Sequence, residues 1–366
     1  MFYRYFISLF ILLSLALSPL ANVRLDFDGD GKTDPVVMSA RTSGPGTSQF
    51  YWHVLGSTDG YSITQWGSQD NNNPGGYGDG FVPADYDGDG KTDIAIVRIP
   101  RINPTPDVGS QLYWYILYSS TGTYEVIPWG LSISNAGGDY AVPADYDGDG
   151  KADVAIARDG SNNLVWWIRQ SRDGVRIQRW GGSPGAGDSP VPADYDGDGK
   201  ADLAVIRYVA PINPPPPYTW FILNSRDGSW TVRQLGTFDV DIPAVGDYDG
   251  DGKADMCVVS RRGDFPTFNW RWINSSNGQF NLLHWGAVGD KIVQGDYDGD
   301  GKTDQAIYRK DGNCEDFSRF WINGSRSGFY IVPFGGCGTT SSGRGTKSKL
   351  VKTEMDDDDS DFFVLK

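Results

Sequence analysis

Short apolar runs separated by turn residues recur along the whole chain, and past the N-terminus no stretch sustains a 3.6-residue period. The runs fall into a repeated set of four. The first leads into a polar loop, as in Phe81-Val82-Pro83-Ala84 or Ile292-Val293-Gln294-Gly295. The second follows that loop, as in Ile94-Ala95-Ile96-Val97 or Leu203-Ala204-Val205-Ile206. The third is led by Trp52, Trp114, Trp166, Trp220, Trp270 or Phe320, each with Ser five and Gly eight positions later. The fourth ends in Trp66-Gly67, Trp129-Gly130, Trp180-Gly181, Leu235-Gly236, Trp285-Gly286 or Phe334-Gly335. Four short strands in about 50 residues make the blade of a β-propeller, so the predicted class is all-β. The Ser-x-x-Gly steps read as hairpin turns, and the repeated aromatic residues as packing between blades.

Six full blades are expected at 22–67, 80–130, 139–181, 188–236, 241–286 and 290–335, within a unit of 22–338. Residues 339–366 read as a linker and a degenerate, partial seventh blade. Asp361 lies 57 residues after Asp304, in phase with the repeat, and Phe362–Leu365 imitates the strand after a loop. A seven-bladed ring with a half blade is preferred, and a six-bladed ring with an acidic tail is the alternative.

The loop between the first two strands is nearly invariant: Asp-(Phe/Tyr)-Asp-Gly-Asp-Gly-Lys-(Thr/Ala)-Asp, six times over. Its first, third, fifth and ninth residues are carboxylates. They are Asp26, Asp28, Asp30 and Asp34; Asp85, Asp87, Asp89 and Asp93; Asp145, Asp147, Asp149 and Asp153. The later copies hold Asp194, Asp196, Asp198 and Asp202; Asp247, Asp249, Asp251 and Asp255; Asp296, Asp298, Asp300 and Asp304. The seventh residue can add a backbone carbonyl (Lys32, Lys91, Lys151, Lys200, Lys253 and Lys302), and Gly at the sixth permits the sharp turn. Carboxylates ~4 Å apart repel by up to ~4 kcal/mol per pair at an effective dielectric of 20, so such a group needs a cation. All-oxygen donors on a flexible loop favour Ca²⁺ over Mg²⁺, at about six sites, and the absence of His and Cys excludes zinc. Val37 stands where an EF-hand would place its bidentate Glu, so that motif is rejected.

The formal net charge is −15, which argues against nucleic acid as a partner, and the six loops hold 24 of the 47 acidic residues. Residues 1–21 read as a signal peptide, with Arg4 followed by the apolar run Phe6–Leu17, so the protein is expected outside the cell or in its envelope. The run is short for a transmembrane span, and an uncleaved anchor is the alternative. Of three cysteines, Cys257 lies in an apolar strand, while Cys314 and Cys337 sit in loop-like sequence where a disulfide between them is open.

The run Asp-Tyr-Asp-Gly-Asp-Gly-Lys-x-Asp, repeated over about residues 22–338, resembles the FG-GAP/VCBS repeat family, the blades of integrin α-subunit-like propellers. The resemblance implies a seven-bladed propeller with calcium in the loop joining a blade's first two strands, and it makes the aspartates above the ligands. It also implies that ligand is received on the face opposite those loops.

On that opposite face the repeat places Asp79, Asp139, Asp188, Asp241 and Asp290 before the loops, and Arg98, Arg158, Arg207 and Arg309 after them. A ring of Asp–Arg pairs follows, either structural or holding a polar ligand. The irregular insertions Pro100–Gln111, Ala210–Pro217 and Ser68–Gly80 fall on the same face, and Tyr77 and Tyr218 would favour a glycan. With only His53 and His284, no nucleophile–base pair stands out, and no catalytic residue is assigned. The expected function is a secreted calcium-binding module for a surface protein, matrix component or glycan. An extracellular hydrolase and a purely structural envelope module are the alternatives.

Overall fold

The computed structural model describes residues 25–44, 47–70, 79–98, 110–132, 139–160, 163–182, 187–207, 217–237, 241–260, 267–310, 318–334 and 361–364. They form six four-stranded antiparallel sheets. The second blade is typical: Gly80–Phe81, Ile94–Arg98, Ser110–Leu117 and Tyr124–Ser132 lie side by side in chain order. Blades three to six repeat that order from Tyr140–Ala141, Asp188–Pro190, Asp241–Pro243 and Lys291–Ile292 outwards.

The first blade is assembled differently. Val36–Gly44, Thr47–Gly56 and Gly60–Asp70 supply its last three strands, and Asp361–Val364, from the far end of the chain, supplies the first. The pairing is antiparallel, with Val37 opposite Val364 and Ala40 opposite Asp361. This corrects the expectation of a seventh, partial blade. The in-phase C-terminal segment completes blade one, covering a strand edge that would otherwise be unpaired.

Backbone hydrogen bonds between loops count the blades independently. The N–H at the eighth loop position donates to the carbonyl of the first loop residue in the preceding blade. The bonds run Thr92 to Asp26, Ala152 to Asp85, Ala201 to Asp145, Ala254 to Asp194, Thr303 to Asp247 and Thr33 to Asp296, all at 2.6–2.7 Å. The cycle closes after six steps, so the propeller is six-bladed.

The core lies between blades. Trp52, Trp114, Trp166, Trp220, Trp270 and Phe320 are almost wholly buried, and one apolar cluster joins Ala95 and Trp114 of blade two to Val154 and Ile156 of blade three. Each of the five core indoles donates to the carbonyl just before the fourth-strand glycine, as Trp52 does to Trp66 at 2.9 Å and Trp220 to Leu235 at 2.9 Å. Phe320 has no N–H, and there Ser318 Oγ donates to the Phe334 carbonyl at 2.5 Å instead. Cys257 is a free, buried thiol. Cys314, Cys337, the segment 1–21 and most of the three insertions lie outside the described residues.

Candidate functional site

Each aspartate loop is built by its own carboxylates before any ligand is considered. In the second blade Asp85 accepts the N–H groups of Gly88 at 2.6 Å and Gly90 at 2.9 Å, which curls the chain inwards. Gly88 and Gly90 hold φ near +78° and +86°, a region an L-residue enters only with strain. Asp93 then accepts Tyr86 N–H at 2.9 Å and Ser119 N–H at 2.7 Å. The same bonds recur in every blade; Asp202, for example, accepts Tyr195 at 2.8 Å and Ser225 at 2.6 Å.

These bonds bring the carboxylates together. Oxygens of the first, third and ninth positions lie within 4.8 Å of one another in the sets Asp26, Asp28, Asp34; Asp85, Asp87, Asp93; Asp145, Asp147, Asp153; and Asp194, Asp196, Asp202. In blade five the grouping is Asp247, Asp249 and Asp251. The fifth-position carboxylate is also engaged by the hairpin serine, as Asp89 is by Ser119 Oγ at 3.0 Å and Asp300 by Ser325 Oγ at 2.7 Å. Sequence reasoning read those serines only as turn residues. Their fixed offset from the core aromatic was the signal that they serve the loop. The loop lysines Lys32, Lys91, Lys151, Lys200, Lys253 and Lys302 each donate their N–H to the fifth-position aspartate. Their stems lie over the first glycine of the preceding blade's loop, as Lys91 does over Gly29 and Lys32 over Gly299. Around the axis the loops of blades one to four border a cavity of about 430 Å³.

The electrostatics fit a cation. Burial, reinforced by the neighbouring carboxylates, pushes Asp34 up to about 7. It pushes Asp93, Asp153, Asp202, Asp255 and Asp304 up to about 6. Asp147 Oδ1 and Asp298 Oδ1 are buried with no hydrogen-bond partner, although the Arg172 guanidinium lies 3.9 Å from the former. An acceptor in that state costs about 1–3 kcal/mol unless something such as a metal ion takes it.

The Asp–Arg pairs form as expected at the other end of the first two strands. Arg98 grips Asp79 through Nε at 2.8 Å and a terminal nitrogen at 2.7 Å. Arg158–Asp139, Arg207–Asp188 and Arg309–Asp290 repeat this two-point contact. Each aspartate also accepts an N–H from the exit of the preceding blade, for example Ser68 to Asp79 at 2.6 Å and Ala287 to Asp290 at 2.6 Å. The pair is therefore a clasp fixing one blade's exit to the next blade's entry. The fourth-strand glycine is needed here: a Cβ on Gly67, whose φ is +101°, would stand 3.3 Å from Asp79 Oδ2. Each arginine lies over the aromatic ring beside the core aromatic, Arg98 at 4.7 Å from Tyr115 and Arg207 at 4.4 Å from Phe221.

Blade five breaks the column and compensates. Ser260 replaces the arginine, and Arg271, standing where other blades have the aromatic, donates to Asp241 at 2.5 Å and to Ser260 Oγ at 2.7 Å. Sequence reasoning missed Arg271, although two columns changing together in one repeat marks it. In blade one the same two columns hold Ser39 and His53. Ser39 Oγ is 2.7 Å from His53 Nε2, and His53 Nδ1 is 2.6 Å from Tyr61 Oη. This serine–histidine contact was also not read from the sequence. Both residues are about 1% exposed, and burial, with Arg41 nearby, pushes His53 down to about 4. Of the two tyrosines, Tyr218 donates to the Asp241 carbonyl at 3.2 Å, while Tyr77 lies outside the described residues.

Comparison with solved structures gives distant likenesses. A mutant of AofleA from Arthrobotrys oligospora is 10% identical over 87% of this chain and 95% of its own, with a TM-score of 0.47. The Penicillium chrysogenum alpha-L-arabinanase is 13% identical over 86% and 98%, with a TM-score of 0.41. An apocarotenoid oxygenase of Synechocystis is 10% identical with a TM-score of 0.40; the match covers 73% of this chain and only 62% of the oxygenase. At these identities the likenesses assign no activity. No curated protein matches the sequence. The family model for the FG-GAP-like repeat matches residues 26–96 and 145–205, two stretches that each begin at an aspartate loop. The chain thus carries the FG-GAP-like repeat at residues 26–96 and 145–205, on a propeller whose described residues form six four-stranded blades.

Proposed function

We propose that this chain is a calcium-loaded, exported propeller that serves as a binding or adhesion module for a surface protein, matrix component or glycan. The observation that carries the reading is the convergence of carboxylates in loop after loop around a buried ninth-position aspartate whose charge is disfavoured without a cation. The first, third, fifth and ninth aspartates, with the seventh-position lysine carbonyl, would hold the ion. Bound there, calcium supplies two positive charges per loop and ties the loop to its hairpin. The chain's own residues do the rest: Ser119 and its counterparts fix the ninth aspartate, and the interloop bonds carry that order around the ring.

Six near-identical loops suit a scaffold better than a recognition surface. The clasp aspartates have three or four bonds each, so they too belong to the framework. Specificity falls to the parts that do not repeat. Hydrolysis gains no support from the Ser39–His53 contact, which solvent does not reach. No helix among the described residues is long and apolar enough to cross a membrane. The test is a screen of immobilised glycans and surface proteins with calcium and with EDTA. Binding that disappears in EDTA is expected. Absence of binding, with turnover of a generic glycoside or ester, would overturn the reading in favour of an enzyme.

A further inference from the structure

In three of the grooves between blades, the fourth-strand indole is used up by the next blade. Trp66 donates to the Tyr115 carbonyl at 3.2 Å, Trp129 to Trp167 at 3.1 Å and Trp180 to Phe221 at 3.2 Å. The groove between blades five and six differs. Trp285 Nε1 is buried and has no acceptor, which sets this groove apart; Trp321 Nε1 on the facing strand has none either, a state it shares with its counterpart Trp167 in the groove between blades two and three. Phe329 bridges the two rings. Its centroid lies 5.3 Å from Trp285, nearly edge to face, and 5.7 Å from Trp321, stacked. Phe329 itself is 53% exposed and lies on the outermost strand.

We propose that this groove is a saccharide subsite, a reading that rests on the binding-module function above and names its ligand class. Three aromatic rings give an apolar wall of the kind that takes the C–H face of a pyranose. Two indole donors, each costing about 1–3 kcal/mol while unpaired, call for neutral oxygen acceptors beside that face. Hydroxyl and ring oxygens supply both on one rigid unit. The groove offers no spare charge, because Arg309, over Trp321 at 4.8 Å, is committed through two nitrogens to Asp290. That disfavours an anionic ligand. Rotation of the half-exposed Phe329 side chain uncovers the donors and leaves its own ring free to stack.

The test is saturation-transfer NMR on the full chain in calcium, with methyl pyranosides of glucose, galactose, mannose, fucose and N-acetylglucosamine as probes. Transfer to at least one glycoside is expected. Trp321→Phe, which keeps the ring beneath Arg309 and removes one N–H, should weaken that glycoside about ten-fold, the equivalent of one good hydrogen bond. Phe329→Ser, at a half-exposed ring whose described ring contacts are Trp285 and Trp321, should weaken it at least as much. Glycoside binding unchanged in both variants would overturn the groove while leaving the module reading intact. No transfer from any probe, with capture of a protein or a proline-rich peptide instead, would overturn the saccharide assignment and likewise spare the module.

Discussion

The clasp of blade four makes a quantitative prediction. Arg207 meets Asp188 through two nitrogens at 2.7 and 2.9 Å, and the side chains are 29% and 1% exposed. Arg207→Met keeps the aliphatic stem over Phe221 but leaves Asp188 a buried anion whose remaining described donor is the Gly182 N–H. Breaking a buried pair costs about 3–5 kcal/mol, and the partial exposure of Arg207 places this case near the lower limit, about 3 kcal/mol. Urea unfolding in calcium, followed by tryptophan fluorescence, reads the loss. Adding Asp188→Asn removes the buried charge while keeping an acceptor for Gly182, so the double variant should recover about half of the deficit or more. A single variant within about 1 kcal/mol of wild type, with no recovery in the double, would show an ordinary surface ion pair and refute the clasp.

Three further outcomes are expected. In calcium-free protein the ninth-position aspartates titrate near 6, and Asp34 near 7, against an ordinary value of 3.8. The native state then holds more protons than the unfolded chain in that window, so melting temperature should fall as pH rises from about 4 to 7; a flat profile would contradict the burial of those groups. A Cβ on Gly295 would lie 2.6 Å from Thr33 of the next loop, so Gly295→Ala should cost about 1–3 kcal/mol, and Thr33→Ala should rescue it by restoring the Ala–Ala arrangement of blades two to four; thermal melts of the pair decide. Removing residues 361–366 takes away the four-residue pairing with Val36–Gly44; at about 1 kcal/mol per hydrogen bond this should lower the melting temperature by roughly 5 °C and promote aggregation at the uncovered edge, whereas an unchanged melt would exclude that closure.

Much of the fold was legible because the repeat turns position into chemistry. The loop aspartates, the core aromatic, and the Asp and Arg columns each recur at a fixed offset, and a side chain recurring at one offset occupies one place in every blade. The ring closure was not legible. Asp361 is in phase with the loops, but phase alone cannot tell a strand that begins a new blade from one that completes the first, and pairing across nearly the whole chain leaves no local mark. The exceptions were legible only in pairs. Phe320 with Ser318, Ser260 with Arg271, and Gly246 or Gly295 with Thr303 or Thr33 each replace one group and restore its bond or its space elsewhere. Trp285 breaks its column differently: the tryptophan is retained while its hydrogen bond is lost, which no residue identity reveals.

Calcium held in the aspartate loops is proposed to be part of the folded scaffold. Metal analysis of the protein desalted into chelex-treated buffer, with a melt before and after EDTA, tests it most directly. About six calcium ions per chain are expected, with a melting temperature that drops sharply on chelation and returns when calcium is restored. Protein that carries no calcium after saturation, and melts at the same temperature in EDTA, would contradict it.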